Sequence, residues 1–160
     1  MSVVLALREP LALQTRRKSN ILNEINRSPC DAGVALQIHQ HRLDYPNAIH
    51  RPVNPTAAYN CHGLTLASRR TWIHSADEIT KILAEDDYIK IDYFTENILA
   101  GDIIVYLKDG DIEHSGIVVE MVKGRGPRIL SKWGKCHEVI HFPMECPWKD
   151  AVREYYRITT

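Results

Sequence analysis

The sequence predicts an α+β fold, with helices in the N-terminal part and an antiparallel β-sheet in the C-terminal part. Three observations carry the prediction. The chain has 160 residues, of which 44% are hydrophobic and 25% charged, enough to bury a core without staples. Apolar residues in the first half recur at helical spacing behind good capping residues. In the second half, short apolar runs are separated by turn dipeptides such as Asp109-Gly110. The length predicts one domain over residues 1–160, with residues 1–50 as an N-terminal extension and residues 56–142 as the functional core.

Taken in order, Ile21, Leu22 and Ile25 among polar neighbours predict an amphipathic helix over residues 19–27. Val34, Leu36 and Ile38 alternate with Gln37, His39 and His41, which predicts a half-buried strand over residues 33–43, with a helix as the close alternative. Residues 44–59 hold three prolines and little periodicity and read as an ordered loop. A helix is expected from Cys61 toward Trp72 with Leu64 and Ala67 on its core side, capped by Asn60. Ser75 caps a second helix, residues 76–85, whose core face is Ile79, Ile82 and Leu83; Glu78, three positions on, completes a capping box. Strands are then expected at 102–107, 112–122, 128–133 and 138–142, with Asp109-Gly110 as a hairpin turn.

Charge and cysteine usage exclude several classes. Twenty basic residues balance twenty acidic ones, so no electrostatic footprint for nucleic acid or an anionic membrane is present, and Arg16-Arg17-Lys18 and Arg69-Arg70 read as solvated surface. Cys30, Cys61, Cys136 and Cys146 are too sparse for a disulfide framework and point to a reducing compartment. The apolar start, Val3 to Leu7, stops at Arg8-Glu9-Pro10; neither a signal peptide nor a membrane span is expected, and any export needs a delivery apparatus.

Tyr59-Asn60-Cys61-His62-Gly63-Leu64 is the stretch around which the chemistry is organised. A thiol on the first turn of a helix meets unpaired N–H groups and a partial positive charge, which favour the reactive thiolate. Cys61 is therefore the candidate nucleophile, although a buried structural cysteine is the commoner role for this residue. It needs a base. His62 adjoins it, but consecutive helix positions diverge by about 100°. His114 opens a strand, shares a face with Gly116 and Val118, and the missing side chain at Gly116 leaves room for the cysteine helix to approach. An imidazole there takes the thiol proton and returns it to a leaving amine. The plain alternative is a surface strand histidine beside a turn.

Asn60-Cys61-His62-Gly63 resembles the Asp-Cys-Ser-Gly nucleophile motif of the NlpC/P60 group of papain-like cysteine peptidases and amidases. Gly101-Asp102-Ile103 followed by His114-Ser115-Gly116-Ile117-Val118 is similar to that group's Gly-Asp-Leu and His-Val-Gly-Ile strands, in the same order and at similar spacing. The likeness spans residues 56–134 and extends to the related CHAP amidases. It implies a cysteine helix packed on an antiparallel sheet, amide-bond hydrolysis, and in many members a cell-wall peptide as substrate. The residue that orients the imidazole in the family sits on the strand after the histidine strand, where this chain has Ser131, a weak orienter; Glu138 and His141 on the next strand are the alternatives. Tyr59 is similar to an aromatic flanking the family cysteine and, with Asn60, is expected beside the oxyanion site, while Trp133 is expected to wall the cleft.

The resemblance implies a cofactor-free enzyme acting on a peptide or peptidoglycan substrate. A delivered antibacterial effector or phage lysin, with a cognate immunity or delivery protein as partner, is the reading it favours. A cytosolic peptidase, deamidase or acyltransferase is the alternative. Readings from other classes are an inactive papain-like binding module and a zinc site built from Cys61-His62 and Cys136-His137 with Cys30 or Cys146. No Cys-x-x-Cys or His-x-x-x-His spacing supports the zinc reading.

Overall fold

Seven antiparallel strands form the sheet on which the molecule is built, and helices and long loops cover both of its faces. The computed structural model describes residues 8–52, 55–94 and 96–159; the apolar start at Val3 to Leu7 lies outside them. In chain order the elements are β1 (Arg8–Glu9), β2 (Ile25–Asn26), α1 (Ala32–Asp44), β3 (Ile49–His50), α2 (Cys61–Leu66) and α3 (Ala76–Glu85). These are followed by β4 (Tyr88–Ile91), β5 (Ile103–Lys108), β6 (Asp111–Val122), β7 (Gly126–Lys132), β8 (Glu138–His141) and β9 (Val152–Ile158). The large sheet runs β3-β8-β7-β6-β5-β9-β4, and β1 pairs with β2 apart from it. This is the α+β architecture expected.

The hairpin of β5 and β6 forms where Asp109-Gly110 permits it. Both residues have positive φ, 52° and 86°, the twist that a two-residue turn between right-handed strands requires. Alternation along β5 then sends Ile103 and Val105 to one face and Ile104 and Tyr106 to the other. The first face carries Ala67, Ile73, Ile79, Ile82 and Leu83 from α2, α3 and their connection. The second carries Val34 of α1, Ile129, Trp133 and Tyr155, with Trp148 packed against them.

The expectation for residues 76–85 holds in bounds, cap residue and core face, with Ser75 accepting the Asp77 N–H. The capping box does not form. Glu78 instead accepts the Leu22 N–H at 2.8 Å and pairs with Lys81 at 3.0 Å. Residues 33–43 are helix, not strand: Asp31 caps α1 by accepting the Val34 N–H, and the core side is Val34, Ile38 and Tyr45, a spacing of four and seven, while Leu36 and Leu43 face solvent. Residues 19–27 are extended. There Asn23 bonds the Leu11 N–H and carbonyl with its side chain, Thr71 donates to it, and Ile21 is buried beside α3; side-chain bonds to backbone outbid a helix ladder. The cysteine helix stops at Leu66, six residues short of Trp72. β3, β4 and β9 went unread, two of them edge strands. Residues 8–50 add an edge strand to the sheet and α1 to its second face. No helix among the described residues is long and apolar enough to cross a membrane.

Candidate active site

Cys61 is the first residue of α2, and its position is fixed by Asn60. The Asn60 carboxamide oxygen accepts the N–H groups of Gly63 (2.9 Å) and Ile73 (3.2 Å), and its nitrogen donates to the Ile73 carbonyl (2.7 Å). Each of these side-chain bonds goes to the backbone, and Asn60 is the N-cap of α2. Gly63 explains the third position of the motif: a Cβ there would collide with the Thr71 carbonyl, so only glycine lets α2 press against the returning chain.

The backbone N–H groups of Ser115, His62 and Cys61 itself favour the ionised Cys61 sulfur. The Ser115 N–H belongs to the peptide that joins His114 to Ser115, but the His114 ring points to the opposite face of β6 and does not meet the thiol. Burial dominates the thiol's ionisation and pushes it up to about 11, against the pull of the N–H groups and of Lys132. Cys61 is 7% exposed.

His114 is wholly buried, and its ring lies parallel to that of Trp148 at 3.6 Å between centroids. Among the described residues neither ring nitrogen has a hydrogen-bond partner, Cys61 included. Burial, with smaller contributions from His141 and His62, holds its pKa well below the ordinary histidine value, so the ring is neutral. The approach over Gly116 is not the one expected. Ile129 and Ser131 of β7 fill that space, and α2 instead docks through Ser115 on the other face of β6. There Ser115 donates to Thr65 (3.1 Å), which donates to the Cys61 carbonyl (2.8 Å), so His62 Nδ1–H must be the donor to Ser115 (2.8 Å). His62 is therefore a packing residue, brought down to about 4 by burial.

None of the three proposed orienters, Ser131, Glu138 and His141, hydrogen-bonds His114 among the described residues. Ser131 donates to His141 Nε2 at 2.7 Å, because His141 Nδ1 is committed to the Phe142 carbonyl, and it accepts the Trp133 indole N–H at 3.0 Å. Trp133 itself is 1% exposed, edge-on to His41, Tyr45 and His50, and is core rather than cleft wall. Glu138 faces the α2 side, bonded to the Tyr59 hydroxyl (2.8 Å), to Arg69 (2.5 and 3.2 Å) and to Arg51 (3.3 Å). Burial alone would raise this carboxyl, but the Arg69 and Tyr59 hydrogen bonds and the two guanidiniums hold it below its usual range. Tyr59, anchored this way, is driven up to about 12 by burial and by Glu138.

Two residues were missed. Lys132 is 1% exposed; its ammonium donates to the carbonyls of Thr56 (2.7 Å) and Gly134 (2.6 Å), sits 4.9 Å from the Tyr59 ring centre, and is brought down to about 8 by burial. A lysine in an otherwise apolar strand run was its sequence signal. Trp148, the cover on His114, lies in an irregular segment with no such signal.

Comparison with family models, with curated proteins and with solved structures finds no match to this chain. Among the described residues, no group of three or more histidine, cysteine, aspartate or glutamate side chains is arranged to hold a metal ion. A surface cavity of about 650 Å³ lies elsewhere, between Tyr93, Phe94, Arg125, Phe142 and Tyr155.

Proposed function

We propose that the chain is a cysteine-dependent amide-bond hydrolase in which Cys61 is the nucleophile. One observation carries the reading: Cys61 begins α2, where the backbone N–H groups of Ser115, His62 and Cys61 and the Lys132 ammonium all favour its thiolate. The expected pairing with His114 is not made, because that ring points to the opposite face of β6, onto Tyr106 and Trp148.

The Cys61 thiol loses its proton to water, and the thiolate attacks the substrate carbonyl. The tetrahedral intermediate collapses with cleavage of the C–N bond, water returning a proton to the departing amine, and a second water hydrolyses the thioester. The backbone N–H groups of Cys61 and His62, which favour the thiolate, are donors for the developing oxyanion. At pH 7 a thiol at about 11 is ionised in only about one molecule in 10⁴, a cost of roughly 5 kcal/mol.

The motif resemblance favours a peptidoglycan peptide as substrate and a delivered effector or lysin as biological context. Purified protein incubated with defined wall fragments, the products weighed by mass spectrometry, should yield a cleaved amide. The Cys61→Ala variant should be inactive with an unchanged circular dichroism spectrum; full activity in that variant would remove Cys61 from the mechanism. The inactive binding module is favoured by one feature, the placement of Cys61 and the His114 ring on opposite faces of β6, and is the conclusion if Cys61 stays unreactive to alkylation until the protein unfolds.

A further inference from the structure

The short connection after α2 is strained in a way that packing alone does not demand. Ser68 and Arg69, neither a glycine, both adopt left-handed backbone, φ 51° and 64°, and the Arg69 N–H turns back to the Gly63 carbonyl at 3.0 Å. Each such residue costs on the order of 1 kcal/mol, and strain of this kind persists where the surroundings impose it, often at binding sites. Its result is that Arg69 folds back beside Tyr59, two positions before Cys61, and meets Glu138 from one side while Arg51 meets it from the other.

The charge arithmetic does not balance. Among the described residues, Glu138 is the one carboxylate paired with Arg51 and Arg69, and it also acts on Lys132, so it faces three cations. Two positive charges are left over. Lys132 is enclosed, but the two guanidiniums are 40% and 44% exposed. Among the described residues, Arg51 uses one Nη and Arg69 uses Nε and one Nη, so Nε and an Nη of Arg51 and an Nη of Arg69 have no protein acceptor. A single arginine would satisfy Glu138; the second makes a fork that suits a carboxylate arriving from solvent.

We propose that Arg51 and Arg69, braced by the buried Glu138, form an anion-selecting subsite of the Cys61 centre that takes a carboxylate on the acyl side chain or chain terminus of the substrate. The inference deepens the hydrolase reading, since it makes the substrate an acidic peptide. Glu138 acts here as a positioning residue: it fixes the planes of both guanidiniums so that little side-chain freedom is lost when the anion binds.

The test is a titration of the ¹⁵N-labelled protein with N-acetylglutamate and, in parallel, N-acetylglutaminamide, which carries no carboxylate, followed at the arginine Nε–H resonances. N-acetylglutamate should shift the Arg51 and Arg69 signals and bind about tenfold more tightly than N-acetylglutaminamide, the difference shrinking as salt is raised. Arg51→Gln, which leaves the Glu138–Arg69 pair in place, should erase that preference, and the same spectra report whether the variant is folded. Equal response to both compounds, or shifts in neither, overturns the subsite, and the salt series on the unaltered protein decides it even if Arg51→Gln unfolds. In Cys61→Ala the preference should persist. Persistence together with an inert Cys61 in the unaltered protein would retain the subsite and reject the hydrolase, whereas a reactive Cys61 with no glutamate preference would do the reverse.

Discussion

At Cys61, three backbone N–H groups and a nearby ammonium all favour the thiolate, and burial outweighs them together. The balance predicts what should release the thiol. Unfolding removes the burial that dominates. Denaturant should therefore speed alkylation of Cys61 at pH 8 by about tenfold or more, one unit of thiol ionisation being a factor of ten; peptide mapping by mass spectrometry reads it, and an equal rate in the folded protein would show that burial does not hold the thiol back. At Ser131 the expectation is the opposite kind. Its hydroxyl links the Trp133 indole to His141 inside the second core, so Ser131→Ala should lower stability by about 1–3 kcal/mol in urea unfolding, through two stranded polar groups. The pH dependence of Cys61 alkylation should be untouched, which separates this residue from a catalytic orienter.

At the scale of elements, α2 is only six residues long and owes its existence to its neighbours rather than to propensity. Asn60 ties its start to Ile73, Thr65 and His62 tie it to Ser115, and Gly63 lets the 71–73 segment lie against it. Gly63→Ala places a methyl group in the Thr71 carbonyl and should destabilise the protein by about 3 kcal/mol or more, displacing Cys61 from the Ser115 N–H at the same time. The expected signature is a fall in both melting temperature and any hydrolytic activity; retention of both would mean that the connection yields easily and that the helix is not pinned by it.

Across the whole molecule, histidines are held neutral on both faces of the sheet. Burial brings His62, His137 and His141 down to about 4, and lowers His41 and His114 as well. In the unfolded chain each titrates near 6.5. Their folded values lie below the unfolded ones, so the unfolded state binds more protons in between. The stability they contribute is complete above pH 6.5 and is lost as the pH falls from 6.5 toward 4. For deeply buried His62 and His141 the loss at pH 5 is roughly 2 kcal/mol each. Thermal unfolding should accordingly show a drop of many degrees between pH 7.5 and pH 5, and an unchanged melting temperature would contradict the buried neutral state of these rings.

Local rules settled whatever depends on near neighbours in the chain. Asp109-Gly110 sets its hairpin because both residues tolerate positive φ, Ser75 starts α3 because its hydroxyl takes an N–H two residues on, and Asn60 caps α2 because carboxamide and helix start are adjacent. The strand pairing of Val34, Leu36 and Ile38 failed because four-residue spacing and two-residue alternation coincide over so short a run, and only packing on Trp133 chose between them. The nearness of Cys61 to the His114 backbone follows the motif order. The orientation of the imidazole did not, nor did the roles of Ser131, Trp133 and Glu138. Which face of a sheet a side chain meets depends on what other segments bring to that face, and Trp148, Arg51 and Arg69 arrive from parts of the chain with no local relation to the strands they touch. The sequence alone determined the turns and the caps; tertiary packing alone decided what Cys61 and His114 face, because burial and partnership are properties of segments distant in the chain.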